Sequence, residues 1–306
     1  MKRTSSRPRS TKHAAGGSVR AAPAGAPERI QKVLAQAGVA SRRAVEALIR
    51  EGRITVNGAR ALIGQHVTPG DQVRVDGRGV ALPRGDAEVR VLAYKKRTGE
   101  IVTRDDPEGR RTVFRRLPKL DTGRWIAIGR LDINTSGLLL FTNSGELAQR
   151  LMHPSFEIER EYAVRVLGEV DEGMLERLAR GVRLDDGQGR FEKVWRSDGP
   201  GPEKGDAPLF SDEPGQKRDV SPFSESGGAA NRWFQVVVKQ GRNRLVRRLW
   251  ESQRCQVSRL IRVRYGPVEL GRGIRSAGYR ELDAHEIRAL RRAVGLEPPR
   301  GGRAGA

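Results

Sequence analysis

Asp132 stands inside a polar run, Gly129-Arg130-Leu131-Asp132-Ile133-Asn134-Thr135-Ser136-Gly137, with Trp125, Ile126 and Ile128 before it and Leu138, Leu139, Leu140 and Phe141 after it. Such a pattern reads as strand, tight loop, strand. A short loop pinned between apolar strands presents its polar side chains from a rigid base, which suits a carboxylate for nucleophilic or acid–base work. Short polar residues also close turns through their own backbone, and on local chemistry alone that is the commoner use of an Asp here.

Other chemistry is thinly represented. The four histidines are scattered, with no zinc-type spacing around them. A single cysteine, Cys255, rules out a disulfide within the chain and fits a reducing compartment. There is no G-x-x-x-x-G-K-[ST] loop and no G-x-G-x-x-G after a strand. The expectation is therefore no metal and no cofactor. The net charge of +21 builds a positive field that favours polyanions, nucleic acid first. No apolar run has spanning length and no strongly apolar amphipathic helix is evident, so a membrane partner is not expected.

Residues 1–27 hold no acidic residue and almost no large apolar one, the composition of a disordered basic arm. Ile30, Val33, Leu34 and Ala37 then fall at helical spacing before Gly38. Ser41 is placed to cap a second helix, with Val45, Leu48 and Ile49 on its apolar side and Gly52 at its end. Ile54–Val56, an Asn57-Gly58 turn and a strand pair around Val67 and Gln72–Val75 complete a small unit. Lys32, Arg42, Arg43, Arg50 and Arg53 lie off the apolar positions and form a candidate RNA-binding face. Residues 76–87, rich in Gly, Pro and charge, read as a linker.

The large domain, 88–296, opens with a strand over Glu88–Lys96. Downstream, Gly145–Met152 reads as a helix, Ile158–Leu167 as a strand, Met174 to Leu178 as a helix and Phe191–Trp195 as a strand. Residues 197–230 are low in complexity and read as a surface insertion without chemistry. A strand around Trp233 to Lys239 leads through Gln240-Gly241-Arg242-Asn243-Arg244 into a helix bearing Arg247 and Arg248. Val257–Tyr265 reads as a strand, Ala284–Val294 as the last helix and 297–306 as a tail.

The run from Gly129 to Asn143 resembles the signature of one family of ribosomal RNA pseudouridine synthases, comprising small-subunit enzymes and the B, E and F types of the large ribosomal subunit. The similarity extends through Thr103–Leu120 and Gly145–Gly168 and covers most of residues 28–296 apart from the insertion. Ser41 to Gly58 resembles the S4 RNA-binding domain. The resemblance implies an α+β fold: a small S4 domain, then a synthase domain with a mixed, mainly antiparallel central sheet and flanking helices. It implies that Asp132 is catalytic, that Tyr162, within Arg160-Glu161-Tyr162-Ala163-Val164, lies against the target base, and that Arg247 pairs with Asp132 and keeps it ionised and aimed. Gln240 and Leu245 depart from the family's usual Glu and Gln. Arg130, Arg244 and Arg248 join the RNA-binding candidates, the last two as phosphate contacts or a solvated face, and His153 is given a structural role.

The implied activity is isomerisation of one uridine, flipped from its stack, in large-subunit (23S) ribosomal RNA near the peptidyl-transferase region, whether as free RNA or in an assembling particle. Small-subunit RNA is the alternative substrate. The protein is expected to act as a monomer in the cytoplasm. Two rivals are a non-catalytic RNA-binding assembly factor, in which Asp132→Asn changes nothing, and a basic DNA-binding protein with no preference for folded RNA.

Overall fold

The computed structural model describes residues 26–83, 88–199 and 231–297. The expectations for the arm before Ala26, for residues 200–230 and for the tail beyond Glu297 lie outside these residues.

The N-terminal unit comprises β1 (Glu28–Arg29), α1 (Ile30–Gln36), α2 (Arg42–Arg50), β2 (Ile54–Val56), β3 (Ala59–Arg60), β4 (His66–Val67), β5 (Val73–Val75) and β6 (Arg78–Val80). Ser41 Oγ accepts the Ala44 N–H at 3.1 Å, starting α2 where the cap residue stands. Ile30, Val33 and Leu34 of α1 and Val45 and Ile49 of α2 pack together with Ile54, Val56 and Val73. Burying both helix faces against one small sheet is what lets so short a unit fold.

Two local expectations are corrected. Val67 does not pair with the 72–75 strand: β4 pairs with β1, Glu28 opposite Val67, while β5 joins an antiparallel sheet of order β3-β2-β5-β6. Residues 78–80, inside the stretch read as linker, form the last strand of that sheet. Asp76 and Gly77 both take positive φ, the two-residue hairpin turn that Asn57-Gly58 also makes. An Asp-Gly pair reads equally as loop or as hairpin turn until its flanking strands are seen to pair.

The larger unit follows as β7 (Val91–Lys96), β8 (Ile126–Ile128), β9 (Ser136–Thr142), α3 (Gly145–Met152), β10 (Arg160–Leu167), α4 (Glu172–Arg180), β11 (Val182–Leu184), β12 (Gly187–Gly189), β13 (Lys193–Ser197), β14 (Arg232–Val238), α5 (Leu245–Glu251), β15 (Gln256–Tyr265), β16 (Val268–Glu269), β17 (Tyr279–Glu281) and α6 (Ala284–Ala293). The sheet runs β13-β14-β10-β15-β9-β7-β17, with β8 beside β9 and β16 beside β15. Among the described strands only β9 and β15 pair in parallel, so the sheet is mixed and mainly antiparallel.

The run Leu138-Leu139-Leu140-Phe141 is continuous rather than alternating because both faces of β9 are covered. Leu138 and Leu140 pack with Leu147, Leu151 and Leu290 of the helices on one side. Leu139 and Phe141 pack with Tyr94, Val113 and Trp125 on the other. A third core joins Val164 and Phe234 to Leu178, Leu249 and Trp250 beneath α4 and α5.

Gly137 closes the parallel contact. It stands opposite Arg262 at φ +103, and a Cβ there would lie 2.2 Å from the Arg262 carbonyl oxygen. No other residue fits so close an approach in that conformation. The two halves of the sheet thus meet at the polar loop's end.

Candidate active site

The loop between β8 and β9 is held by its main chain. A turn runs from Asp132 to Thr135, whose N–H donates to the Asp132 carbonyl at 3.0 Å. Gly99 N–H, in the turn after β7, donates to Ile133 O at 2.9 Å. Lys96 Nζ, on a residue 1% exposed, donates to the carbonyls of Thr135 at 2.8 Å, Asp132 at 3.0 Å and Arg97 at 3.1 Å. One buried ammonium therefore ties both ends of the turn to β7. Burial pushes Lys96 down to about 8 against the opposing pull of the Glu100 and Asp132 carboxylates.

With the turn closed by backbone and lysine, the Asp132 carboxylate makes no hydrogen bond or ion pair among the described residues. It does not cap its own loop. It instead lines a cavity of about 990 Å³ shared with Tyr162, Arg160, Arg262, Arg130, Arg244 and the Gln240–Arg242 loop. The loop over 103–110 contributes Thr103, Asp105, Asp106 and Arg110 to the wall.

Tyr162, half-buried on β10, lies in this cavity with its ring packed between two cores. Arg247 is placed differently from the expected ion pair. Its Nη2 donates to Asn134 O and its Nη1 to Val257 O, both at 3.0 Å. At 7% exposure it sits behind the loop, where main-chain oxygens are what its fork meets. Burial and the neighbouring Arg244 pull its guanidinium below the ordinary range, and the Asp132 charge opposes them. Arg247 thus touches the loop that carries Asp132 at Asn134 O and not at the carboxylate.

Lys96 and Arg262 were not singled out from sequence. Arg262, 3% exposed, donates through Nε to Leu138 O at 2.7 Å. Arg160, also buried, and Arg262 both lie against the Tyr265 ring, 5.2 and 5.1 Å from its centroid. The only sequence signal was the presence of charged residues within otherwise apolar strands, VLAYKK and RLIRVRY.

The RNA-binding candidates divide. Arg42 and Arg43 on α2 and Arg130 at the cavity rim are exposed. Lys32 bonds Glu28, Arg50 lies 4.0 Å from Glu46, and Arg53 is clasped by Asp76 at 2.7 Å. Arg244 lies 3.6 Å from Glu251. Arg248 grips Asp186 at 2.7 and 2.9 Å, and Arg242 binds the same carboxylate. Those two arginines fasten the β11–β12 hairpin to the Gln240–Asn243 loop and to α5, and hold Asp186 far below the usual carboxylate range. Arg248 is therefore a brace. His153 caps a turn through Ser155, the structural role expected of it.

Among the described residues no group of three or more His, Cys, Asp or Glu is placed to hold a metal ion. No described helix is long and apolar enough to cross a membrane.

The model of the RNA pseudouridylate synthase family matches residues 90–252, which contain the loop, Tyr162 and Arg247, and the S4 domain model matches 28–73. The chain belongs to the RNA pseudouridylate synthase family. Its relatives include the ribosomal large subunit pseudouridine synthase B of Pseudomonas aeruginosa, 52% identical over 89% of this chain and 64% of that protein's length. The protein of the same name from Escherichia coli K12 is 49% identical over 89% of this chain and 84% of its own length. A solved pseudouridylate synthase shares the fold, with a TM-score of 0.54 at 20% identity, over 86% of this chain and 99% of that one.

Proposed function

We propose that this chain isomerises a uridine of large-subunit ribosomal RNA to pseudouridine. The observation that carries the reading is the Asp132 carboxylate, free of partners among the described residues and lining a cavity with Tyr162, in a chain of this family. The names of the relatives support the large-subunit substrate.

A stacked uridine hides both bonds that must change, so the nucleotide is flipped into the cavity at a cost of a few kcal/mol. The Tyr162 ring offers a face for the base, and stacking offsets part of that cost. Asp132 then meets the anomeric carbon, either as nucleophile on C1′ or by removing a sugar proton on the way to a glycal. The N1–C1′ bond breaks, the base turns, and C5 joins C1′ as the Asp132–C1′ bond breaks or, on the glycal route, as Asp132 returns the proton to the sugar; the C5 proton then leaves and N1 takes one up. Lys96 and Arg247 keep the loop aimed by holding its carbonyls. Arg42 and Arg43 on the S4 unit supply phosphate contacts that are indifferent to sequence.

Transcripts of large- and small-subunit ribosomal RNA are incubated with the protein, and pseudouridine is located by carbodiimide-dependent reverse-transcription stops. One new stop in the large-subunit RNA alone is expected. A stop confined to small-subunit RNA would contradict the substrate, and none in either would contradict the activity.

A further inference from the structure

We propose that Arg262 is a further catalytic residue: it donates to a carbonyl oxygen of the flipped uracil and carries the charge that builds on the base while the N1–C1′ bond is broken. This rests on the isomerase reading above.

Arg262 is more than nine-tenths buried, yet it lines the cavity that Asp132 and Tyr162 share. On β15 it is the register partner of Tyr162 on one side and of Gly137 on the other. Register partners project from the same face of a sheet, with Cβ atoms about 5 Å apart. An edge of a base lying on Tyr162 therefore comes within reach of this guanidinium.

The fork is fixed before any substrate arrives. Nε is spent on Leu138 O at 2.7 Å, and Cζ rests 5.1 Å from the centroid of Tyr265. The Tyr265 hydroxyl is itself anchored to Leu151 O at 2.8 Å. Nη2, by contrast, is buried and has no partner among the described residues. Guanidinium nitrogens are donors only, and a buried one without an acceptor is costly and rare unless a ligand supplies the acceptor.

Uracil supplies it. When N1–C1′ breaks, the electron pair stays on N1 and spreads to O2 and O4. Asp132 takes up C1′ or removes the sugar proton, and the base is anionic until C5 closes onto C1′ with release of Asp132 or return of that proton to the sugar. The C5 proton then leaves, N1 is protonated, and no outside reactant is consumed. An arginine stays protonated throughout and can hold either oxygen as the base turns. A backbone phosphate is the poorer candidate, since the exposed Arg130 and Arg244 stand at the rim while Arg262 is deep.

The test compares wild type, Arg262→Gln and Arg262→Lys in single turnover on a uridine RNA and on the same RNA carrying 5-fluorouridine at the target; fluorine cannot leave C5 as a proton, so the step read on both RNAs is loss of the N1-linked nucleoside from a digest. Fluorine at C5 makes the base a better leaving group, so its departure needs less help. Arg262→Gln is expected to slow the uridine RNA about 10²–10³-fold, the usual loss for one preorganised donor. On 5-fluorouridine RNA the loss should be at least about tenfold smaller, with the RNA Kd unchanged and Lys intermediate. Equal losses on both RNAs would reduce Arg262 to a brace of the sheet and overturn the proposal. Weaker binding at an unchanged single-turnover rate would make it a phosphate contact and overturn it too. If Arg262→Gln does not fold by circular dichroism, the lysine variant, which keeps the charge and loses the fork, gives the same comparison. Wild type that turns over neither RNA would sink the isomerase reading and this proposal with it.

Discussion

Replacing Lys96 with methionine keeps the aliphatic stem and removes the ammonium that gathers the carbonyls of Arg97, Asp132 and Thr135. Two terms of opposite sign set the effect on stability. Thr135 O becomes a buried acceptor without a donor, at about 1–3 kcal/mol. Asp132 O keeps the Thr135 N–H, and Arg97 is partly exposed, so water can replace the lysine there. On the other side, methionine spares the burial of a cation. The drop of Lys96 from 10.5 to about 8 corresponds to about 3 kcal/mol. The terms nearly cancel, and Tm should move by only a few degrees.

Activity is not spared. The loop loses the tie that fixes both ends of its turn, and a misplacement on the order of 1 Å at a reacting group costs about 100-fold. Lys96→Met should therefore lose about 100-fold in kcat at nearly unchanged Tm. The pH dependence has a definite sign. Between about 8 and 10.5 the unfolded chain keeps a proton on Lys96 that the folded chain has released. Its contribution to stability is thus fully present above 10.5 and is lost as pH falls through about 8. Wild type should gain on Lys96→Met across that window and show a flat difference below it. Urea melts across the range and single-turnover rates read both effects. A variant retaining wild-type kcat, or a stability difference that moves toward the variant as pH rises from about 8, would refute the reasoning.

Gly137→Ala should cost about 3 kcal/mol or more, because its Cβ meets the Arg262 backbone and the left-handed conformation is strained besides. A thermal melt within a degree of wild type would contradict that. Replacing Arg42 and Arg43 together with alanine should reduce the magnitude of the slope of log K against log salt by about 1.4–1.8, two phosphate contacts' worth. An unchanged slope in a filter-binding titration would place the RNA elsewhere.

The strand-loop-strand around Asp132, the caps at Gly38 and Ser41 and the bounds of α3 were legible because each is encoded within a few neighbouring residues. What holds the loop was not. Lys96 reaches across 36 residues to Asp132 and Arg262 across 124 to Leu138. A charge in an apolar strand looks the same in sequence whether it ends in solvent or beneath a catalytic loop. Arg247 illustrates the complementary limit. Resemblance singled out the residue, but only its burial behind the loop shows that the fork meets Asn134 O and Val257 O. The Asp76-Gly77 hairpin and the β11–β12 hairpin were passed over because short polar strands carry almost no apolar alternation, and pairing alone defines them.

The most direct test of the central claim is release of tritium from C5-labelled uridine in large-subunit ribosomal RNA, with wild type and Asp132→Asn side by side. Asparagine preserves the shape of the side chain and leaves the turn's main-chain bonds in place, so RNA binding should be equal. Release by wild type, with none above background from Asp132→Asn, is the expected result. Comparable release from both proteins would remove Asp132 from the chemistry.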